Sequence, residues 1–141
     1  MSHYLDNFIY KISYALKMTK KILLIDDNQY FLHSLSERIK SINKDYNVFV
    51  TVNSPKTEAL EILGQESIDL IISDTRMFSI DNYGPRIINE IRAEYPDLSI
   101  VATGVERKSK NLWPETEYKQ RKYLLDKNNP SLNNILEKYL S

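Results

Sequence analysis

Short apolar runs alternate along this sequence with longer amphipathic segments, and this alternation restricts the fold more than any other feature. The apolar runs are KILLID, NVFVTV, IDLIISD, LSIVATG and KYLLDK, which begin at residues 21, 47, 68, 98 and 122. Short apolar runs bounded by polar residues are typical of strands that are covered on both faces of a sheet. The sequence therefore predicts five strands.

The segments between these runs carry the periodicity and the end signals of helices. Predicted helices cover residues 28–42, 54–65, 84–95 and 130–140. Ser54 is suited to cap the second of them, and Pro55 occupies its first helical position. The polar segment from Val105 to Arg121 is only weakly periodic. We expect a helix there, interrupted at Trp113 and Pro114.

This βα alternation predicts an α/β fold, a doubly wound five-stranded parallel sheet flanked by helices on both faces. Right-handed crossovers between parallel strands leave few topologies for such a chain. Ligands of these sheets bind beyond the carboxyl ends of the strands, where the strand order reverses. That edge is the place to look for functional residues.

Residues 1–18 form a predicted N-terminal extension, and residues 19–141 form the main domain. The extension is predicted to be one added helix, because its apolar residues share a single helical face: Leu5, Phe8, Ile9, Ile12 and Leu16. We expect this face to contact the domain or a neighbouring subunit. Two alternatives stay open, a helix lying on a membrane surface and a chain that starts at Met18.

Composition excludes several classes of function. The 141 residues include no cysteine, which rules out disulfides, thiolate zinc sites and cysteine nucleophiles. Three glycines are too few for a glycine-rich phosphate loop, and a net charge of zero gives no field that would attract nucleic acid. No apolar run approaches the roughly 20 residues that span a bilayer, and no secretory signal opens the chain. We therefore expect a cytoplasmic protein that does not bind nucleic acid directly.

Charged and hydroxyl side chains stand at the ends of four predicted strands. Asp26 and Asp27 end the first strand, Asp74 the third, Thr103 the fourth and Lys127 the fifth. Because the carboxyl ends of parallel strands meet at one edge, these side chains are expected to converge. Three close carboxylates raise each other's pKa values unless a cation neutralises them.

The donor types at this edge favour a particular ion and a particular anion. Oxygen donors without histidine or cysteine favour Mg²⁺ or Mn²⁺, and Mg²⁺ commonly shares its ligand shell with a phosphate. The ammonium of Lys127 is expected beside that ion only if an anion is bound there, and the hydroxyl of Thr103 can donate to the same anion. Asp74 stands alone on its strand and is therefore the natural acceptor of a phosphoryl group.

From residue 20 to residue 140 the chain resembles the receiver domain of bacterial response regulators, of the small chemotaxis-regulator type. The resemblance rests on LLIDDN, DLIISDTRM, IVATG and YLLDKN, which occur in this order with family-like spacing. It implies the flavodoxin-like receiver fold. It also implies that Asp26, Asp27, Asp74 and the backbone carbonyl of Arg76 hold the divalent ion.

The resemblance further implies a single-domain response regulator that is not an enzyme. A histidine kinase or a histidine phosphotransfer protein would phosphorylate Asp74. Thr103 would act as the switch hydroxyl, and Lys127 would pair with the phosphoryl group. The phosphorylated form would then present a changed surface to a downstream protein in two-component signalling, and a homodimer is one expected assembly.

Two alternative functions remain for this sequence. The first is a pseudo-receiver, a constitutive protein-interaction module that is never phosphorylated. Departures from the family pattern around the fourth helix and the fifth strand favour it, among them Asn128 in place of the usual proline. The second is a phosphatase with an aspartyl-phosphate intermediate, which typically needs another acid two residues after the nucleophile, where Arg76 stands. The complete acidic set favours the phosphorylated receiver over both.

Overall fold

The computed structural model describes residues 2–78, 83–105, 108, 112–113 and 115–141. The strands within these residues are β1 (Lys21–Ile25), β2 (Asn47–Val50), β3 (Leu70–Asp74), β4 (Ser99–Gly104) and β5 (Glu117–Gln120). The helices are α1 (Ser2–Met18), α2 (Gln29–Ile42), α3 (Pro55–Gln65), α4 (Tyr83–Glu94), α5 (Arg121–Leu125) and α6 (Ser131–Leu140).

The strands form one parallel five-stranded sheet in the order β2-β1-β3-β4-β5. This arrangement confirms the predicted doubly wound sheet. The chain adds β2 on one side of β1 and β3 on the other, so the strand order reverses there. Ile25 of β1 lies opposite Ser73 of β3. The residues that follow β1 therefore emerge beside the last residue of β3, at the edge where ligands of such sheets bind.

Two apolar clusters cover the two faces of the sheet. Ile22 and Leu24 of β1 pack with residues of α2 and α6, whereas Leu23 and Ile25 pack with residues of α3 and α4. Neighbouring residues of a strand point to opposite faces, so a strand covered on both sides must be apolar at every position. This is why the inner strands are continuous apolar runs.

The fifth strand lies elsewhere than predicted. The run KYLLDK is not a strand, because β5 ends at Gln120 and the first residues of that run belong to α5. β5 is an edge strand with half-buried side chains, so it needs no continuous apolar run. Leu124 is fully buried in the core from α5, which explains the apolar character that suggested a strand.

The helix expected between Val105 and Arg121 is wrong over the part that forms β5. Residues 106–107, 109–111 and 114 lie outside the described residues, as does the predicted interruption at Pro114. Trp113 is described, and the guanidinium of Arg92 lies 5.3 Å from the centre of its ring.

The added N-terminal helix is present as α1. Four of the five side chains on its predicted apolar face are between 45% and 56% exposed, namely Leu5, Phe8, Ile9 and Ile12. These four side chains are therefore not buried against the domain, and the side chain of Leu16 lies outside the description. The division into residues 1–18 and 19–141 stays a prediction. None of the described helices is both long and apolar enough to cross a bilayer.

Gly84 allows the first turn of α4 to lie directly against the end of β3. A Cβ atom at this position would lie 2.0 Å from the carbonyl oxygen of Asp74 and 2.5 Å from the Cα of Thr75. Both are backbone atoms of the segment that carries the acidic edge, so neither can move away without shifting that edge.

We expect Gly84→Ala to lower the free energy of unfolding by about 3 kcal/mol, because the added methyl group overpacks this contact. The matched control is Gly64→Ala in α3, where an added Cβ meets nothing within 4 Å. That variant should be slightly more stable than wild type, by about 0.5 kcal/mol, since alanine favours the helix. Urea unfolding followed by circular dichroism measures both values, and equal stability of the two variants would contradict the close packing of α4.

Candidate metal and phosphoryl site

Three carboxylates meet at the carboxyl edge of the sheet, as the sequence predicted. Asp26 and Asp27 follow β1, Asp74 ends β3, and one carboxylate oxygen from each lies within 4.8 Å of the others. Asp26 and Asp74 are almost completely buried, with 1% and 2% exposure, while Asp27 is more exposed. The arrangement concentrates negative charge where little water can screen it.

Backbone donors and a helix cap hold the first two acids in place. The backbone N–H of Asn28 donates to Asp26 at 2.9 Å, and the Asn28 side chain accepts from Phe31 to cap α2. The N–H of Phe78 donates to the carboxylate of Asp27 at 2.7 Å. Phe78 has a φ of 54°, in the left-handed region that residues other than glycine rarely adopt. The loop after β3 is thus folded back toward the end of β1.

Burial and mutual repulsion make two of these acids hard to ionise. Burial, together with the neighbouring Asp74 carboxylate, raises the pKa of Asp26 from 3.8 to about 7. Burial likewise raises the pKa of Asp74 from 3.8 to about 6, against the opposing effect of the Arg121 guanidinium. A divalent cation in this cluster would oppose both shifts, because it stabilises the ionised carboxylates.

Arg121 contacts the acidic cluster and was not identified from the sequence. Its Nη2 lies 2.8 Å from an oxygen of Asp26 and 3.3 Å from an oxygen of Asp74. The guanidinium carbon lies 4.2 Å from the centre of the Phe31 ring. Arg121 follows β5 directly, so it emerges at the same edge as the acids. Had the fifth strand been placed correctly, a basic residue at its end would have been the signal.

Lys127 is not where the sequence placed it. It lies in the turn between α5 and α6, and its side chain is exposed. Among the described residues, no hydrogen bond or ion pair joins Lys127 to the acidic cluster. The expectation that it ends the fifth strand is wrong, because β5 ends at Gln120.

Thr103 lies beside Asp74 in the sheet, since the two residues are register partners on β4 and β3. Thr103 is 1% exposed, and its hydroxyl has no hydrogen-bond partner within the described part of the chain. A buried hydroxyl without a partner is costly, so the site fits an additional acceptor such as a phosphoryl oxygen. The ligand role predicted for the Arg76 carbonyl stays a prediction.

The donor set of the cluster fits a hard divalent cation. It consists of carboxylate oxygens from Asp26, Asp27 and Asp74, with no histidine or cysteine among the grouped residues. Mg²⁺ and Mn²⁺ prefer such oxygen ligands. The predicted Mg²⁺ or Mn²⁺ site is therefore consistent with the observed cluster.

We expect the metal-free protein to lose stability as pH rises from about 4 to about 7, because both buried acids bind protons more tightly in the fold than in the unfolded chain. Their stabilising effect is complete below the unfolded value of 3.8 and disappears as pH rises through the folded values of about 6 and about 7. Thermal unfolding in a chelator, for wild type and for Asp26→Asn, isolates the effect as a difference of about 3 kcal/mol across this range.

Mg²⁺ should show the opposite pH dependence, stabilising wild type more at about pH 8 than at about pH 5, since only ionised carboxylates bind it. In the chelator, the difference in stability between wild type and Asp26→Asn should change with pH. A difference that stays constant with pH would contradict the assigned pKa shifts.

This chain is similar in sequence to known response regulators. Residues 22–134 match the family described as the response regulator receiver domain. The response regulator protein FleR of Pseudomonas aeruginosa is 32% identical over 84 residues, which cover 60% of this chain and 16% of FleR. The transcriptional regulatory protein GlrR of Escherichia coli is 36% identical over 80 residues, covering 57% of this chain and 17% of GlrR. The chain thus spans about a sixth of the length of these relatives.

Solved structures share the fold over most of the chain. A chain from the crystal structure of histidine kinase ThkA with response regulator protein TrrA has a TM-score of 0.67 and 25% identity, covering 86% of this chain and 99% of that one. TrrA of Thermotoga maritima in complex with Mg²⁺–BeF has a TM-score of 0.66 and 23% identity, with the same coverage. With its strand order and its cluster of three acids at the sheet edge, this chain belongs to the receiver domain family of response regulators.

Proposed function

We propose that this chain accepts a phosphoryl group on Asp74 from a phosphohistidine of a partner protein, as the receiver of a two-component system. The observation that carries the proposal is the position of Asp74, which lies within 4.8 Å of two further carboxylates and beside a buried hydroxyl without a partner. This combination provides oxygen ligands for a cation and a donor for an anion at one carboxylate. Both are what an acyl phosphate requires.

The transfer is a substitution at phosphorus. An oxygen of the Asp74 carboxylate forms the new P–O bond while the P–N bond to the donor imidazole breaks, and the electron pair of that bond stays on the imidazole nitrogen. The protein contributes positioning and charge stabilisation rather than a covalent step of its own. Thr103 is placed to donate its hydroxyl to a phosphoryl oxygen.

Asp26, Asp27 and Asp74 would hold the divalent ion, together with the backbone carbonyl of Arg76. When bound, Mg²⁺ neutralises negative charge on the transferring group and on the three acids. The structural neighbour TrrA crystallised with Mg²⁺–BeF supports this assignment by analogy. The oxygen-only donor set of this chain supports it directly.

The donor would be a histidine kinase or a histidine phosphotransfer protein. The complex of histidine kinase ThkA with TrrA, a chain of the same fold, supports a kinase partner. Phosphorylation would replace the single charge of the Asp74 carboxylate with an acyl phosphate of about −1.5 to −2 charge, and it would add new acceptor oxygens. The changed surface would bind a downstream protein in the cytoplasm, without direct contact to nucleic acid and without enzymatic turnover.

The pseudo-receiver stays a second candidate because of one observation. Arg121 already bridges Asp26 and Asp74, which neutralises part of the cluster without any metal. A constitutive interaction module would need nothing more at this site. Phosphorylation of the purified protein distinguishes the two functions.

We expect acetyl phosphate with Mg²⁺ to add one phosphoryl group to the protein, detected by intact mass. The adduct should require the divalent ion and should be absent from Asp74→Asn, which removes the acceptor carboxylate while preserving its shape. Asp69→Asn is the matched control, because Asp69 lies before β3 rather than at its carboxyl end. An unmodified wild type, or a modified Asp74→Asn variant, would refute the assignment of Asp74.

We also expect slow self-dephosphorylation, with a half-life of minutes or longer. The side chains two residues beyond Asp74 and two beyond Thr103 are Arg76 and Val105, both exposed. Neither offers a carboxylate or an amide to orient the attacking water. Arg76→Asn should shorten the half-life several-fold, whereas Arg86→Asn, on the exposed surface of α4, should leave it unchanged. A wild-type half-life of seconds would contradict this expectation.

A further inference from the structure

We propose that Arg121 is a mobile counter-ion that competes with the divalent metal for Asp26 and Asp74 and then pairs with the phosphoryl group on Asp74. The first half concerns metal binding alone, and the second half rests on the proposed phosphorylation of Asp74. In this role Arg121 replaces Lys127.

The contact geometry shows why the arginine and a metal ion would compete. One nitrogen, Nη2, serves both carboxylates, at 2.8 Å from Asp26 and 3.3 Å from Asp74. These same two residues belong to the cluster of three carboxylates that could hold a divalent ion. A divalent ion and a guanidinium that approach the same two carboxylates repel each other, most strongly where water is excluded. Binding of the ion should therefore loosen the arginine contacts.

The guanidinium of Arg121 also has a donor available for an anion. Its Nε is buried and has no hydrogen-bond partner within the described part of the chain. The hydroxyl of Thr103, the register partner of Asp74, is in the same condition. Two buried groups able to donate, both on residues adjacent to Asp74, are satisfied together if Asp74 carries additional acceptor oxygens. The planar fork of arginine is well suited to phosphate oxygens.

Phe31 limits where the guanidinium can go. The Arg121 carbon Cζ lies 4.2 Å from the centre of the Phe31 ring, and Phe31 is 3% exposed at the start of α2. Stacking on this ring keeps the guanidinium plane at the acidic edge while the nitrogen atoms change partners. The Arg121 side chain is itself only 20% exposed, so it has little access to solvent as an alternative.

Lys127 lacks each of these features. It lies beyond α5, in an exposed turn, and no described contact joins it to the three acids. The cation of this site is therefore supplied from the start of α5 rather than from the end of it.

The decisive experiment compares Arg121→Met with Lys127→Met in two measurements. Methionine keeps an unbranched apolar side chain on Phe31 and removes the charge together with the N–H donors to Asp26 and Asp74. Calorimetric titration with Mg²⁺, without any phosphoryl donor, should show about tenfold tighter binding to Arg121→Met, because the competing cation is gone. Phosphorylation by acetyl phosphate at saturating Mg²⁺ should be at least about tenfold slower in the same variant. Lys127→Met should match wild type in both.

Arg121→Lys provides a second test that keeps the charge. Its Mg²⁺ affinity should stay close to that of wild type, while its phosphorylation should slow less than that of Arg121→Met. In wild type, the NMR signal of the Arg121 Nε–H, assigned with this variant, should shift when Mg²⁺ is added. This last measurement does not depend on how well Arg121→Met folds.

The two halves fail separately. Unchanged or weaker Mg²⁺ binding by folded Arg121→Met, or an Nε–H signal insensitive to Mg²⁺, would overturn the competition. An unchanged phosphorylation rate in Arg121→Met, or an equal loss in Lys127→Met, would overturn the pairing with phosphate. If wild-type Asp74 accepts no phosphoryl group, the proposed function and the pairing of Arg121 with phosphate are both wrong. The Mg²⁺ titration still tests the competition between Arg121 and the metal.

Discussion

Repulsion among three carboxylates at one sheet edge is the constraint around which this structure is organised. The strand order sets it, because placing β1 beside β3 brings Asp26 and Asp27 next to Asp74. Burial strengthens the repulsion by excluding the water that would screen it. Only a cation, protons or hydrogen-bond donors can relieve it. The chain supplies backbone N–H donors from Asn28, Arg76 and Phe78, and a positive charge from Arg121.

Most of the fold and the three acids could be predicted because both follow from local patterns. Strands covered on two faces must be apolar throughout, so the three inner strands stand out in the sequence, and the edge strand β2 carries an apolar run as well. Polar residues directly after such runs must lie at the carboxyl edge of a parallel sheet. Asp26, Asp27, Asp74 and Thr103 were found by this rule, and the structure brings all four to that edge.

The fifth strand and its arginine could not be predicted in the same way. The side chains of β5 are only half-buried, and its sequence EYKQ, unlike the NVFV of the other edge strand β2, has no apolar signature. The nearby apolar residue Leu124 belongs to a short helix that contributes to the core. Because KYLLDK was predicted to be the fifth strand, Lys127 was predicted to be the positively charged residue at its end. The pairing of Arg121 with Asp26 joins residues 95 positions apart, which no local pattern encodes.

The anchoring of α5 explains how one arginine could exchange partners without disturbing the fold. Leu124 is fully buried beneath α2, and its carbonyl oxygen accepts a hydrogen bond from Nε of Arg38 at 2.9 Å. The last turn of α5 is thereby tied to the helix that carries Phe31. Arg121 begins the same short helix, so its backbone is held between this tie and β5. Freedom is left mainly to its side chain, which needs only to rotate over the Phe31 ring to leave a carboxylate for another anion at the same edge.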